Sequence, residues 1–136
     1  MPGEYSVVIG TPDVETYRRL RRVSGLSEKS QEAAARGLPN TIHAVTVRYG
    51  NETVGMGRVI GDGGCFYQIT DIAVEPAHQG KGLGKAIMRA LMDQLRASAP
   101  KGAYVSLIAD GPAKHLYAQF GFEDTAPASI GMALVV

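Results

Sequence analysis

Apolar positions along this chain follow two different periods, and the points where the period changes mark its elements. Residues 5–9, Tyr-Ser-Val-Val-Ile, form a short β-branched run closed by Gly10-Thr11-Pro12-Asp13, the pattern of a strand leading into a helix start. Thr11 can cap that helix and Pro12 suits its first turn. Val14, Tyr17 and Leu20 or Arg21 then recur at helical spacing, up to about Gly25. A second helical piece over residues 28–36 stops at Gly37 and Pro39. Residues 42–49 and 53–60 are strand-like runs around Gly50-Asn51-Glu52, which predicts a hairpin. Gly61-Asp62-Gly63-Gly64 turns the chain again into a long strand over residues 65–74, completing an antiparallel three-strand meander.

The period then switches. From Gly82 onward Leu83, Ile87, Leu91 and Leu95 fall on one face, with Lys85, Arg89, Asp93 and Arg96 on others, predicting an amphipathic helix that ends by Pro100 and Gly102. Residues 104–109 read as a strand, 113–120 as a short helix closed by Gly121, and 130–136 as a closing strand. The predicted order is β-α-α-β-β-β-α-β-α-β-β, a mixed α/β fold. No repeat, linker or low-complexity segment interrupts it, so residues 1–136 are expected to form a single domain.

Composition narrows the functional classes. A hydrophobic share of 45% and a charged share of 20% fit a folded globular chain. The formal net charge of +1 provides no basic field for nucleic acid. No apolar run approaches membrane-spanning length, and Met1-Pro2-Gly3-Glu4 lacks a leader pattern, so a soluble cytoplasmic protein is expected. The single Cys65 forms no internal disulfide, and no cysteine and histidine cluster has metal-ligand spacing, so no metal site is expected.

The richest chemistry lies between Asp71 and Lys85. Here a strand passes through a turn, and three glycines, Gly80, Gly82 and Gly84, open the long helix. A helix start has unpaired N–H groups and a positive dipole end, glycine lets backbone approach an anion closely, and Lys81 and Lys85 add charge. The same glycines could simply make a tight turn. Spacing excludes other phosphate motifs. A dinucleotide fingerprint would need glycine where Lys85 or Ile87 stands, and a P-loop would need it at Gln79, with Ser or Thr at Ala86.

Gln79, Gly82 and Gly84 resemble the Q/R-x-x-G-x-G/A signature of the GNAT acetyltransferase superfamily, preceded by Asp71-Ile72-Ala73-Val74-Glu75-Pro76 and followed by Ala113, Tyr117, Gly121 and Phe122 at the spacing of the family's second motif. The similarity is strong from Gln68 to Phe122. It implies a mostly antiparallel sheet flanked by helices and splayed beside the strand ending at Val74. It also implies acetyl-CoA as co-substrate, held by backbone of Ile72, Ala73 and Val74 and by Gln79, Gly80, Lys81, Gly82, Leu83, Gly84 and Lys85. The reaction implied is direct transfer of an acetyl group to a primary amine of a small acceptor. A backbone N–H near Ile72 to Val74 would serve the oxyanion, and Tyr117 would be the general acid.

Asp71 is the acid within that strand, and strict alternation would put it on one face with Tyr67, Ile69 and Ala73, either paired structurally or acting as general base. Thr70 stands where glucosamine-6-phosphate N-acetyltransferases carry the first of an acidic pair, and Gln68 near where protein-acetylating relatives carry a glutamate. Arg18, Arg19, Arg21 and Arg22 read as a solvated helix face or a contact for an anionic acceptor, and Glu75 and His78 as solvated turn residues. The rival readings are a non-catalytic acyl-CoA-binding module and an enzyme using a longer acyl-CoA. A homodimer is a family-level expectation, supported by the apolar final segment.

Overall fold

The computed structural model describes residues 4–136, so Met1-Pro2-Gly3 and the leader reading attached to them lie outside the described residues. A five-stranded sheet runs in spatial order β1-β2-β3-β4-β5, the strands being Tyr5–Ile9, His43–Tyr49, Glu52–Gly61, Phe66–Val74 and Tyr104–Ser106. The first four pair antiparallel, as the expected meander requires, and β4 pairs β5 in parallel. The helices are α1 (Val14–Val23), α2 (Gln31–Gly37), α3 (Leu83–Ser98) and α4 (Lys114–Ala118), with single 3-10 turns at Leu38–Asn40, Pro76–His78 and Gly111–Ala113. None of the described helices is long and apolar enough to cross a membrane.

Local chemistry accounts for most differences from the predicted boundaries. The α1 cap is Asp13, not Thr11: its carboxylate accepts from Thr16 N–H at 2.8 Å, leaving Pro12 outside the helix. Ser30 does the same for α2, accepting from Ala33 N–H at 3.0 Å, so that helix starts later than Glu28. The strand expected over residues 104–109 stops at Ser106, where β5 parts from β4. Neither of the two strands that end the predicted order, the closing one over residues 130–136 included, is formed. High β-propensity makes a strand only where a neighbouring edge completes its ladder. This segment has none, and Met132 and Leu134 are 86% and 83% exposed.

Each face of the sheet carries its own apolar layer. Leu83, Ile87, Met88, Leu91 and Leu95 of α3 pack on Val45, Val47, Val59, Tyr67, Ile69 and Val74. On the other face Tyr17 and Leu20 of α1, Ala34 of α2 and Leu38 cover Met56 and Ala73. The fourfold spacing noted in the sequence is thus the buried stripe of α3.

One irregularity in β4 matters more than the rest. Met56 pairs with Ala73 and Arg58 with Thr70, so Asp71 and Ile72 together oppose the single residue Gly57. Asp71 adopts the left-handed conformation at φ 59°, the one described non-glycine residue to do so. This bulge shifts the alternation. Tyr67 and Ile69 face α3, whereas Asp71 and Ala73 face α1, which corrects the expectation that all four share a face. Across from the bulge a Cβ on Gly57 would lie 2.5 Å from Ile87 Cγ2 and 2.7 Å from Ile72 Cδ1, so α3 and the bulge meet over a position only glycine can fill.

Gly57→Ala should therefore lower the unfolding free energy by about 1–3 kcal/mol, the usual cost of overpacking a filled core. Denaturant titration measures this, and an unchanged midpoint would show that α3 sits more loosely on β3 than described.

Candidate active site

The site begins where two strands separate. β4 and β5 pair only through Phe66–Tyr104, Tyr67–Val105 and Gln68–Ser106. Beyond Gln68 the β5 side of β4 has no strand partner among the described residues, and Ile69 to Val74 border an open gap. Glu75 N–H turns back to Val54 O on β3 at 2.8 Å, so by alternation the Val74 N–H points the other way, into the gap. The splay implied by the resemblance is present. A cleft of about 360 Å³ occupies it, lined by Thr70, Asp71 and Ile72 from β4, Leu107 and Asp110 after β5, and Tyr117 of α4.

The gap leads to the start of α3. Gln79 Nε2 donates to Val74 O at 2.9 Å, tying the end of β4 to the turn. Gly80 and Gly82 both lie in the left-handed region, at φ 76° and 79°. A Cβ at either would meet nothing, so conformation rather than space requires glycine there. Gly82 is the N-cap and offers no side-chain acceptor, and the first intrahelical bond runs from Ala86 N–H to Gly82 O at 3.1 Å. The Leu83, Gly84 and Lys85 amides consequently have no helical acceptor, and exposed Lys81 and Lys85 flank them. Gly84 is not strained, but its Cβ position lies 3.5 Å from Leu116 Cδ2, which brings α4 against the opening of α3. These residues fit a pyrophosphate: uncapped amides and a positive dipole end, with two exposed lysines in the same turn.

Asp71 occupies the other side of the bulge. It is 7% exposed, and its Oδ1 accepts from Arg21 Nη1 at 2.5 Å and Tyr17 Oη at 3.0 Å, while its Oδ2 accepts from Arg58 Nη1 at 2.7 Å. Each guanidinium is held further. Arg21 donates to Ser27 O and Oγ, and Arg58 to Thr41 Oγ1 and Gly37 O. Arg58 also lies 5.5 Å from the Tyr17 ring centroid. Two guanidinium groups in a buried setting stabilise the carboxylate charge, and one carboxylate ties β3, β4 and α1 together. The sequence placed Arg21 on the helical stripe and among the four arginines of α1 without making it a site residue, and did not single out Arg58. The available signal was Arg21 four residues after Tyr17 on the buried stripe of its helix, and Arg58 within an apolar strand run.

Tyr117 is half-buried on α4 and packs against the α3-side core. Burial, and after it the Asp110 charge, raises its hydroxyl above the ordinary tyrosine value and keeps it protonated. The turn residues differ from the solvated reading. Glu75 pairs with Arg19, and His78 Nδ1 lies 2.6 Å from Tyr5 Oη with the Tyr49 ring 5.1 Å away. Arg21 is thereby buried, and Arg19, partly exposed, is tied to Glu75 and to Thr53 O, so these two do not form a free charged face. Among the described residues no group of three His, Cys, Asp or Glu could hold a metal ion.

Known proteins share this fold. The chain matches the acetyltransferase (GNAT) domain family over residues 40–124, and it belongs to that family of acyltransferase enzymes. It is 45% identical to a protein of unknown function, called a probable acetyltransferase, from meticillin-resistant Staphylococcus aureus. That solved structure superposes with a TM-score of 0.92 and covers 97% of this chain and 99% of its own. A GNAT-family structure from Xanthomonas campestris is 25% identical with a TM-score of 0.75, covering 99% and 95%. The Glycine max protein named histone acetyltransferase TAP1 is 28% identical over 90% of this chain, which spans 57% of that protein's length.

The network makes stability pH-dependent at the alkaline end. Burial, then the Asp71 charge, pushes the Tyr17 hydroxyl from 10.0 up to about 12. Because the folded value is raised, this contribution is intact below the unfolded value of 10.0 and is lost as pH rises through about 12. Thermal unfolding followed across that window should show wild type losing stability more steeply than Tyr17→Phe, and parallel curves would mean that the hydroxyl is not buried against Asp71.

Proposed function

We propose that this chain is an N-acetyltransferase that moves an acetyl group from acetyl-CoA to a primary amine of a small acceptor, directly and in a ternary complex, with residues 1–136 acting as one domain. The observation that carries the proposal is the continuity of one surface. The open side of β4 runs into uncapped amides at the start of α3, with a protonated tyrosine on the facing helix.

Each part has a role derived from its geometry. The amides of Gly82 to Lys85, with Lys81 and Lys85, hold the pyrophosphate, and the backbone of Ile72, Ala73 and Val74 aligns the donor's arm as an added strand would. Gln79 keeps the turn in register with β4. Acetyl-CoA supplies an activated thioester, and an N–H on the open side of β4 is available to the carbonyl oxygen. Tyr117 Oη holds the proton that the departing thiolate needs. Asp71 is a positioning residue in this proposal, not a proton acceptor, because both its oxygens already accept from buried donors. A small acceptor suits a cleft of about 360 Å³ better than a protein segment such as the soybean relative's name indicates. The exposed single thiol of Cys65 suits a reducing compartment, and a cytoplasmic location is part of the proposal.

One set of measurements tests the reading. Calorimetry should show micromolar acetyl-CoA binding, no ATP or NAD binding, and a loss of at least tenfold in affinity in Lys81→Glu/Lys85→Glu, whose residues are exposed and outside the core. With an amine library and thiol detection, Tyr117→Phe should lower kcat on the order of 100-fold with donor affinity unchanged. The wild-type rate should fall only as pH passes the raised tyrosine value. If acetyl-CoA does not bind, the proposal fails at the donor site. If it binds without turnover of any amine, the chain is an acyl-CoA-binding module.

A further inference from the structure

The buried network around Asp71 does not balance its own charge. Two guanidinium groups, Arg21 and Arg58, close on one carboxylate, and among the described residues neither pairs with a second acid. Tyr17 is the third group on that carboxylate, and its hydroxyl, raised to about 12, stays protonated at neutral pH and adds no negative charge. The network thus holds one positive charge in excess where water is largely excluded. Such a charge is costly, and it favours an anion wherever one can reach it.

The cleft of about 360 Å³ beside β4 is where that charge can be reached, because Arg21 lines it and Arg58 does not. Nε, Nη1 and Nη2 of Arg21 each make one bond, to Ser27 O, Asp71 Oδ1 and Ser27 Oγ, and each Nη carries a second N–H. Tyr67 and Ile69 face α3, so Gln68 and Thr70 face α1, on the Arg21 side of the sheet. Both line the cleft, and neither the Gln68 amide nor the Thr70 hydroxyl bonds elsewhere among the described residues. Donors therefore surround the excess positive charge. Asp110, which follows β5, lines the same cleft with Tyr117 and lies near enough for its charge to be felt at the tyrosine hydroxyl. Its carboxylate caps no helix and pairs with no cation among the described residues. One cleft thus holds a spare positive charge from α1 and a spare negative charge beside Tyr117.

We propose that the acceptor carries a carboxylate as well as its amine, the carboxylate docking on Arg21, Gln68 and Thr70 and the amine lying toward Asp110 and Tyr117, which makes small amino acids the substrate class. The ammonium and carboxylate of a small zwitterion each meet the opposite charge there, and a guanidinium with an N–H left on each Nη suits a carboxylate. Leu26, Ile72, Leu107 and Ile108 complete the lining and leave apolar surface for a hydrocarbon side chain. The bound carboxylate also supplies the negative charge that the Asp71 network lacks. That this ligand is acetylated rests on the proposed function, whereas its binding rests on the cleft alone.

NMR titration of the full chain with phenylalanine and with 4-aminobutyrate, each paired with the amine that remains without its carboxylate, tests binding without turnover. At least one amino acid should bind tenfold or more tightly than its amine, shifting the Arg21 Nε–H and the Gln68 side-chain amide. Arg21→Ala would strip Asp71 of a partner and endanger the fold, so Thr70→Val is the variant, at a half-buried position outside both core clusters. Losing that hydroxyl should shrink the preference about fivefold, and with acetyl-CoA present the loss should appear in KM and not in kcat. Amines that bind as well as their amino acids would overturn the proposal, as would a preference that Thr70→Val leaves unchanged. Failure of acetyl-CoA to bind would instead sink the proposed function and leave the amino-acid titration as it stands.

Discussion

Everything distinctive in this structure depends on one buried carboxylate between two guanidinium groups. Asp71 sits in a backbone conformation that costs a non-glycine residue on the order of 1–3 kcal/mol, and such strain persists only where the surroundings hold it. Arg21, Arg58 and Tyr17 provide that hold at 2.5, 2.7 and 3.0 Å. Leaving a charge of this kind buried without its partner costs roughly 3–5 kcal/mol, enough to outweigh the strain. Because the arginines come from α1 and β3, the bulge is fixed by tertiary structure and cannot relax into regular strand without unpairing both.

From that constraint the geometry of the site follows. The extra residue shifts the side chains of β4, so Ile72 turns toward α3 while Asp71 and Ala73 turn toward α1. Beyond Gln68 the strand stops pairing with β5, leaving backbone on its open side and a cleft between the strands. The strand ends in a turn pinned by Gln79, and that turn delivers the uncapped start of α3 to the same opening. A strained backbone beside the cleft thereby positions groups that are themselves mostly main chain.

How much of this the sequence revealed depended on the range of the interactions. The meander, the long stripe of α3 and the glycine turn are set by neighbours a few residues apart, and they appeared with boundaries close to those observed. The resemblance around Gln79, Gly82 and Gly84 singled out the turn that opens α3 for the same reason. The helix cap is Asp13, two residues after the expected Thr11, because it is the Asp13 carboxylate that accepts from Thr16 N–H. Asp71 was singled out, but not its face or its partners, since alternation assumes a regular strand and Arg58 reaches it across β3 and Arg21 from α1. The closing strand expected over residues 130–136 is not formed: the segment is apolar, but β-propensity alone makes no strand where no neighbouring edge pairs with it.

The proposed function requires β4 to receive an acyl-CoA along the line from Ile72 to the start of α3. Amide chemical shifts followed by NMR during titration with CoA test it most directly, because they report main-chain contacts residue by residue. The largest shifts are expected at Ile72, Val74 and Gly80 to Lys85, with β1 and the outer residues of α1 unmoved. Shifts concentrated on the arginine-bearing face of α1, or the absence of any along β4, would contradict it.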